Sequence, residues 1–588
     1  MAARRFELIL IKPSHYDDDG YVIQWFRSIV PSNSLAALHG LASECAERHI
    51  LGVEVDIAIT AIDETNARVR PGRLIRQIRE ADGGLIALVG VQSNQFPRAL
   101  DIARPLRQAG VPVAIGGFHV SGCLAMLPGI QPDLQRALEM GISLFAGEAE
   151  GRLDEVLQDA ARGTLKPIYN HMDELPGIDG APIPFMPPDR VKQNLRVVAS
   201  FDAGRGCPFQ CSFCTIINVQ GRKSRSRSPE DIAAIVRRNV AEGIYRFFIT
   251  DDNFARNKDW EAIFDTLIRL REQEGLHQIK FTIQVDTQCH RMPNFIDKAR
   301  RAGVNNIFIG LENINAEALQ SSKKRQNKIT DYRALLLACK QARIFTVAGY
   351  ILGFPNDNAE SIRRDIEIIK RELPIDVLEF FCLTPLPGSE DHKRLAASGT
   401  WMDPDMNKYD LEHVVTAHPQ MSKAEWEQIY RAAWDAYYTH DHMVTLMRRG
   451  EAFGIGWRRI LEGIAFFYHS FKHEGVHPLQ GGLFRIKRRR ERRPELPREN
   501  PFIFYPRYWS RSVANNVALV MLFRKYMKIG MQIERDPNRV SYMDKAITPV
   551  REEDDSELEL LTHTPAARAA VQHVRKVQRL TGGMTAGA

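Results

Sequence analysis

Gly204-Arg-Gly-Cys207-Pro-Phe-Gln-Cys211-Ser-Phe-Cys214 directly follows a predicted strand at 197–202. Thiols at intervals of four and three on one loop can wrap three irons of a cubane and leave the fourth iron free to bind a substrate. A structural zinc site wants a fourth Cys or His close by, and the next ones are His277 and Cys289, far downstream. The cysteine loop therefore predicts an iron–sulfur centre set at the carboxyl end of a strand.

From this loop outward, β–α alternation runs from about 198 to 395. Strands are predicted at 197–202, 246–250, 280–285, 306–310, 346–352 and 377–383, each followed by a helical stretch. Six such units make a partial or full β/α barrel the natural architecture. Upstream, strands at 6–11, 53–60, 85–91, 111–115 and 143–145 alternate with amphipathic stretches, which argues for a doubly wound parallel sheet. Between the two lies a proline-rich stretch with little periodicity, read as a linker. Beyond 395 the pattern turns helical and aromatic, as at 423–442 and 455–471. The chain is thus an α/β protein with a Rossmann-like domain (1–165), a linker (166–195), a barrel (196–395), a mostly helical region (396–545) and a flexible tail (546–588).

The composition is that of a globular protein: 44% hydrophobic and 26% charged over 588 residues, with a net charge of +7. Eight cysteines are too few for a disulfide scaffold, and their clustering reads as metal ligation in a reducing compartment. The apolar run Leu8-Ile-Leu-Ile11 is too short for a signal-peptide core, so the expected location is cytoplasmic. The run Arg485-Ile-Lys-Arg-Arg-Arg-Glu-Arg-Arg493 carries seven cations and one anion. Without interleaved aromatics it predicts no nucleic-acid partner. A solvated linker is its first reading, and weak peripheral contact with anionic membrane headgroups the second.

The cysteine loop resembles the radical S-adenosylmethionine superfamily, whose signature is C-x3-C-x-aromatic-C, with Phe213 in the aromatic position. The resemblance implies that Cys207, Cys211 and Cys214 ligate a [4Fe–4S] cluster. It further implies that Asp251 or Asp252, in Thr250-Asp-Asp-Asn253, grips the amino group of S-adenosylmethionine. Gln284, Asp286 and Glu312 end the next two strands and become candidates for ribose or carboxylate contacts. On their own, Gly310 and Glu312 read equally well as a packing glycine and a surface acid. Gly349, Ile351 and Gly353, in Gly349-Tyr-Ile-Leu-Gly353-Phe-Pro, are similar to the family strand that lines adenine with backbone.

One class within that superfamily carries a cobalamin-binding domain ahead of the barrel, and residues 1–165 look like it. The loop of Asn94 and Gln95, the pair Gly116-Gly117 with His119, and the pair Gly147-Glu148 resemble the loops that face the corrin. Small residues there suit a broad ring. The loop after the first strand, Lys12-Pro-Ser-His-Tyr-Asp-Asp-Asp-Gly20, lacks the D-x-H-x-x-G motif that supplies a lower cobalt ligand in many cobalamin proteins. A Rossmann-like fold for another ligand, or for none, is the competing reading.

The resemblance implies a cobalamin-dependent methyltransferase of class B. Such an enzyme cleaves S-adenosylmethionine reductively, takes a hydrogen atom from an unactivated carbon and delivers a methyl group from methylcobalamin. It implies a reductant such as flavodoxin or ferredoxin and a small-molecule or lipid-like substrate. An oxidative cyclase or rearrangement enzyme is the alternative within the class, and a catalytically silent cobalamin- or redox-responsive regulator the alternative outside it. Cys45, Cys123, Cys289, Cys339 and Cys382 read as small buried hydrophobes. The helical spacing of Trp426, Tyr430, Trp434 and Tyr437 reads as core, with a cap over the barrel mouth as the second reading.

Overall fold

The computed structural model describes residues 4–549 and 558–585. The first sheet contains β1 (Arg4–Lys12), β3 (Val55–Asp63), β4 (Gly83–Leu88), β5 (Val113–Gly116), β6 (Ser143–Ala146) and β7 (Ile168–Asn170), in the order β3-β1-β4-β5-β6-β7 and all parallel. The interior strand β1 is buried on both faces from Phe6 to Ile11, because helices cover the sheet on both sides. The strand order reverses at β1/β4. At such a switch point, helices leave in opposite directions and open a crevice at the strands' carboxyl ends. The order agrees with the doubly wound expectation. The strand β2 (Trp25–Ser28) was not expected.

The second sheet contains β8 (Val198–Phe201), β11 (Arg246–Ile249), β12 (Lys280–Val285), β13 (Val304–Glu312), β14 (Phe345–Leu352) and β15 (Val377–Cys382). They run parallel in the order β8-β11-β12-β13-β14-β15, a partial barrel open between β15 and β8. The short hairpin of β9 (Gly204–Arg205) and β10 (Arg225–Ser226) closes the base of the cysteine loop.

The open edge of β15 has its backbone groups satisfied from the C-terminal region. Tyr438 Oη donates to Leu378 O and accepts from Leu378 N, His477 Nε2 lies 3.2 Å from Phe380 O, and Cys382 N donates to Leu411 O. A bare strand edge is a pairing liability, and two side chains and one main-chain carbonyl remove it here. Trp426, Tyr430, Trp434 and Tyr437 belong to the same continuous core as the barrel strands, so the core reading of these aromatics holds.

Three features differ from the sequence reading. The helical region is not a separate unit. It shares the barrel's core, and β16 (Gly482–Arg485) pairs antiparallel with β2 of the first domain. The run 485–493 is not a solvated linker: Arg485 and Lys487 pair with Asp17, and Arg493 with Asp405. Its cations clamp the N-terminal loop to the C-terminal region because acids on both sides offset their burial. The segment read as a tail carries helices at Glu559–Thr562 and Pro565–Thr585, with 550–557 and 586–588 lying outside the described residues. Leu558, Leu560 and Leu561 are buried against the barrel's outer face, where the Glu372 carboxylate accepts the free N–H groups of Glu559 and Leu560.

Candidate active site

The cysteine loop is held from three sides. Cys207 N donates to Gly221 O (3.2 Å) and Cys214 N to Cys211 O (3.1 Å). Ser212 N donates to Ser322 O, and Ser212 Oγ to the Asp391 carboxylate (3.0 Å). Gln326 Nε2 points its amide at Cys211 Sγ, 3.3 Å away. All three thiols are free. Burial pushes the Cys207 thiol up to about 11 and the Cys214 thiol up to about 12, with the neighbouring thiols and Asp252 adding to the effect. Among the described residues no three such ligands converge on one metal ion. A cubane accepts thiolates over a wider ring than one ion, and its charge would supply the deprotonation that this environment resists. The loop therefore fits a cluster better than a mononuclear site.

The strand-end acids divide into two kinds. Asp251 is buried, and its carboxylate accepts from Ala203 N (2.7 Å), Gly204 N (2.8 Å) and Asn257 Nδ2 (3.0 Å). It braces the strand leading into the cysteine loop, so its sequence-based placement on a cofactor gives way to a structural one. Asp252 is open on its surface yet set deep among protein atoms, which pushes its carboxyl up to about 7, with Asp251 adding repulsion. It is the free carboxylate beside the thiols.

Asp286 is likewise occupied. It takes both arms of Arg256 at 2.6 and 3.0 Å and Asn253 Nδ2 at 2.9 Å. Gln284 donates to the Asp251 carbonyl at 3.3 Å.

Glu312 has a left-handed backbone (φ 63°) and pairs with Lys324, whose ammonium lies 5.6 Å from the Phe213 ring centre. Burial acts to lower the Lys324 pKa, but Glu312 and the cluster-loop thiols raise it overall. Phe213 meets Phe354 edge-on at 6.4 Å. Gly349 and Ile351 lie on the lumen side of β14 by alternation, since Tyr350 reaches outward to Asp365. Gly353 has φ 100°, and a Cβ there would collide with the Trp426 ring. The Asp357 carboxylate accepts from Gly353 N and Phe354 N, both at 2.9 Å, and fixes that turn.

On the first domain, Gly117 has φ 149° and no room for a Cβ beside the Val91 backbone. Gly116 packs on Phe145, and Gly147 N donates to Ser121 Oγ at 3.0 Å. Asn94 and Gln95 are buried in the turn after β4, where the Gln95 side chain accepts from Gln92 N. His119 is buried with both ring nitrogens engaged, Nδ1 at 3.1 Å from Ser93 Oγ and Nε2 at 2.6 Å from Asp133. Burial opposes its protonation, but Cys123 and Asp133 hold it up at about 10. Its ring therefore has no nitrogen left to offer a metal.

Glu148 is drawn away from any ligand by two arginines. Arg205 Nη1 approaches it at 2.7 Å and Arg225 Nη1 at 2.8 Å. Arg205 also binds Glu150 (2.6 Å) and Asp202 (3.0 Å). A second contact joins the domains where the helix Phe118–Met126 meets the turn 384–388. There a Cβ on Gly388 would come within 2.8 Å of Gly122 Cα. Both contacts lie past strand carboxyl ends, so the ligand-binding edges of the two sheets face each other.

Sequence reasoning missed Arg205, Arg225, Lys324, Gln326 and Glu379. Glu379 is fully buried on β15. Phe380 packs outward on Trp434, so Glu379 shares the lumen face with Phe381. Neither of its carboxylate oxygens has a hydrogen-bond partner, and burial pushes the group up to about 8. Cys382 lies buried on the Phe380 side and donates to Glu412 O at 3.4 Å.

Residues 202–369 match the Radical SAM superfamily, so the barrel is a radical S-adenosylmethionine domain. Such domains use a [4Fe–4S] cluster and S-adenosylmethionine, and residues 202–369 of this chain match that family.

Two characterised relatives are a bacteriochlorophyllide d C-8(2)-methyltransferase of Chlorobaculum tepidum and a hopanoid C-2 methylase of Rhodopseudomonas palustris. The first is 25% identical over 350 residues, 56% of this chain and 72% of that one. The second is 25% identical over 361 residues, 60% of this chain and 64% of that one. The fold is similar to that of the radical S-adenosylmethionine methyltransferase TsrM from Kitasatospora setae, solved with cobalamin and a [4Fe–4S] cluster. The TM-score is 0.53 at 15% identity, covering 79% of this chain and 99% of that one.

Proposed function

We propose that this protein is a cobalamin-dependent radical S-adenosylmethionine methyltransferase acting on an unactivated carbon of a small-molecule or lipid-like substrate. The observation that carries this reading is the placement of three free thiols where the carboxyl ends of a β/α barrel meet those of a doubly wound sheet. When bound, the cluster and S-adenosylmethionine supply one-electron cleavage of a carbon–sulfur bond, and cobalamin supplies the methyl group.

The chain's own residues hold and orient these groups. Cys207, Cys211 and Cys214 are the cluster ligands, and Gln326 steadies Cys211 through its amide. Asp252 pairs with the ammonium of S-adenosylmethionine, a charge-assisted contact available to it because nothing else occupies it. Phe213 and the backbone from Gly349 through Ile351 to Gly353 border the adenine. Gln284 and the Glu312–Lys324 pair face the ribose and carboxylate.

The loops at Asn94–Gln95, Gly116–Gly117 and Gly147 would border the corrin, and His119 stays in the domain core as a positioning residue. Glu379, whose oxygens make no hydrogen bond and have His477 Nε2 at 4.0 Å, offers them to an N–H or O–H of the substrate within the lumen. A small flavin or iron–sulfur protein is the reductant. The relatives' names, a hopanoid methylase and a bacteriochlorophyllide methyltransferase, favour a large apolar substrate with few polar groups.

The test is anaerobic reconstitution followed by product analysis with methyl-labelled S-adenosylmethionine and cell extract. Methyl transfer gives labelled product together with S-adenosylhomocysteine and 5′-deoxyadenosine. A cyclase gives 5′-deoxyadenosine with no labelled product, which would overturn the methyltransferase assignment.

A further inference from the structure

The helix Pro501–Arg535 packs one side inward through Phe504, Tyr526, Gly530 and Ile533, with Gly530 tight against Trp457. Its other side is apolar as well, and bare. Phe502 is 86% exposed and Trp509 60%, and Val513, Val520, Met527 and Met531 continue the row. At 3.6 residues per turn, these six fall within an arc of about 40°. Tyr505, Val517 and Met521 widen the face. Phe26 and Phe484, on the paired strands β2 and β16, are exposed as well, with ring centres 6.4 Å apart, and Tyr508 Oη ties the helix to Arg485 O at 3.0 Å. Monomeric soluble proteins seldom leave so long a contiguous apolar strip in water.

The charge on this helix decides what covers the strip. Residues 501–533 hold five cations, Arg507, Arg511, Arg524, Lys525 and Lys528, and no Asp or Glu. A second copy of this helix would set like charges against like, whereas paired helices place both signs beside their apolar seam. A helix with exposed Trp, Tyr and Val on one face and Arg and Lys around it matches a bilayer interface with anionic headgroups. Among the described residues no helix is long and apolar enough to cross a membrane. The helix therefore lies on the surface and does not span.

We propose that Pro501–Arg535 docks the enzyme on an anionic lipid bilayer. Trp509, Val513 and Val520 enter the acyl boundary, and Arg524, Lys525 and Lys528 sit among the headgroups. The docking is independent of the proposed methyl transfer, because none of these residues lies at the cysteine loop. It moves the membrane contact from the 485–493 run, where Arg485, Lys487, Arg488, Arg492 and Arg493 pair with acids of the chain, to this helix.

The test is flotation of the full-length holoenzyme with phosphatidylcholine vesicles and with phosphatidylcholine–phosphatidylglycerol vesicles. The protein floats with the mixed vesicles and only weakly with phosphatidylcholine alone, and added salt lowers the bound fraction. Arg524→Ala/Lys525→Ala/Lys528→Ala weakens partitioning to the mixed vesicles about 100-fold, since each cation near such a surface contributes about 1 kcal/mol. Val513→Glu/Val520→Glu abolishes flotation with the melting temperature and S-adenosylmethionine cleavage unchanged. Absence of flotation for the native protein overturns the proposal. So does a concentration-dependent dimer that Val513→Glu dissociates, which would assign the strip to a second copy.

Discussion

Arg205, two positions before the first cluster-loop cysteine, places its Nη1 2.7 Å from the carboxylate of Glu148 at the end of the first domain's strand β6. Both side chains are nearly buried, and Arg225 closes the arrangement from the other strand of the cysteine-loop hairpin. The pair links the Rossmann-like sheet to the loop through charges that cannot find water if separated. Glu148→Ala leaves Arg225 with no other carboxylate, while Arg205 keeps Glu150 and Asp202. Breaking a buried pair on one side costs about 3–5 kcal/mol, and the remaining acids reduce this to roughly 2–3. Calorimetry would report a lower apparent melting temperature, and limited proteolysis faster cleavage in the 166–195 segment.

The adjacent acids Asp251 and Asp252 have opposite roles. Asp251→Ala strands two backbone N–H groups and Asn257, at about 1–3 kcal/mol for each buried group left unsatisfied. It is expected to lower yield and stability together. Asp252→Asn should melt with the native protein while binding S-adenosylmethionine about 10- to 100-fold more weakly, the value of one charge-assisted hydrogen bond. Isothermal titration of the reconstituted proteins separates the two outcomes.

Glu379 gives a pH dependence of stability. Its folded pKa is raised to about 8 by burial, so between its unfolded value near 4.5 and 8 the native state holds the proton more tightly than the unfolded state. Its contribution is fully present below pH 4.5 and is lost as pH rises through 8. Glu379→Gln removes that loss. The variant should gain on the native protein by roughly 1–3 kcal/mol between pH 6 and pH 9, read as a growing difference in apparent melting temperature.

Gly353→Ala tests the turn that ends β14. The substituent would meet the Trp426 ring and sit at φ 100°. Strain plus overpacking costs about 2–4 kcal/mol. Gly110→Ala, also at positive φ but in open space, should cost clearly less when both are followed by urea unfolding.

Local spacing made much of this legible. Three cysteines on one loop, and glycines at strand ends, are written within a few residues of the chemistry they serve. Short apolar runs separated by amphipathic stretches made both parallel sheets legible. Alternation could not say which of Asp251 and Asp252 turns inward, because that depends on backbone donors of Ala203 and Gly204 some fifty residues earlier. Lys324 and Gln326 carry no periodic signal and reach the cysteines only through tertiary packing. The helix Pro501–Arg535 was unreadable for a different reason. It is apolar on two sides, which erases the single-face rhythm by which amphipathic helices are recognised. The segment after 545 looked like a tail because its buried apolar anchors among the described residues, Ala546, Ile547, Leu558, Leu560, Leu561 and Ala567, are few among polar residues.

The most direct test of the central claim is the yield of 5′-deoxyadenosine from anaerobically reconstituted protein given S-adenosylmethionine and a strong reductant. The native chain is predicted to bind four irons and release 5′-deoxyadenosine. Cys207→Ala, Cys211→Ala and Cys214→Ala are each predicted to release none while keeping the fold. Undiminished 5′-deoxyadenosine from any one of those variants would contradict the account, as would a native protein that loads its cluster and cobalamin yet leaves S-adenosylmethionine intact.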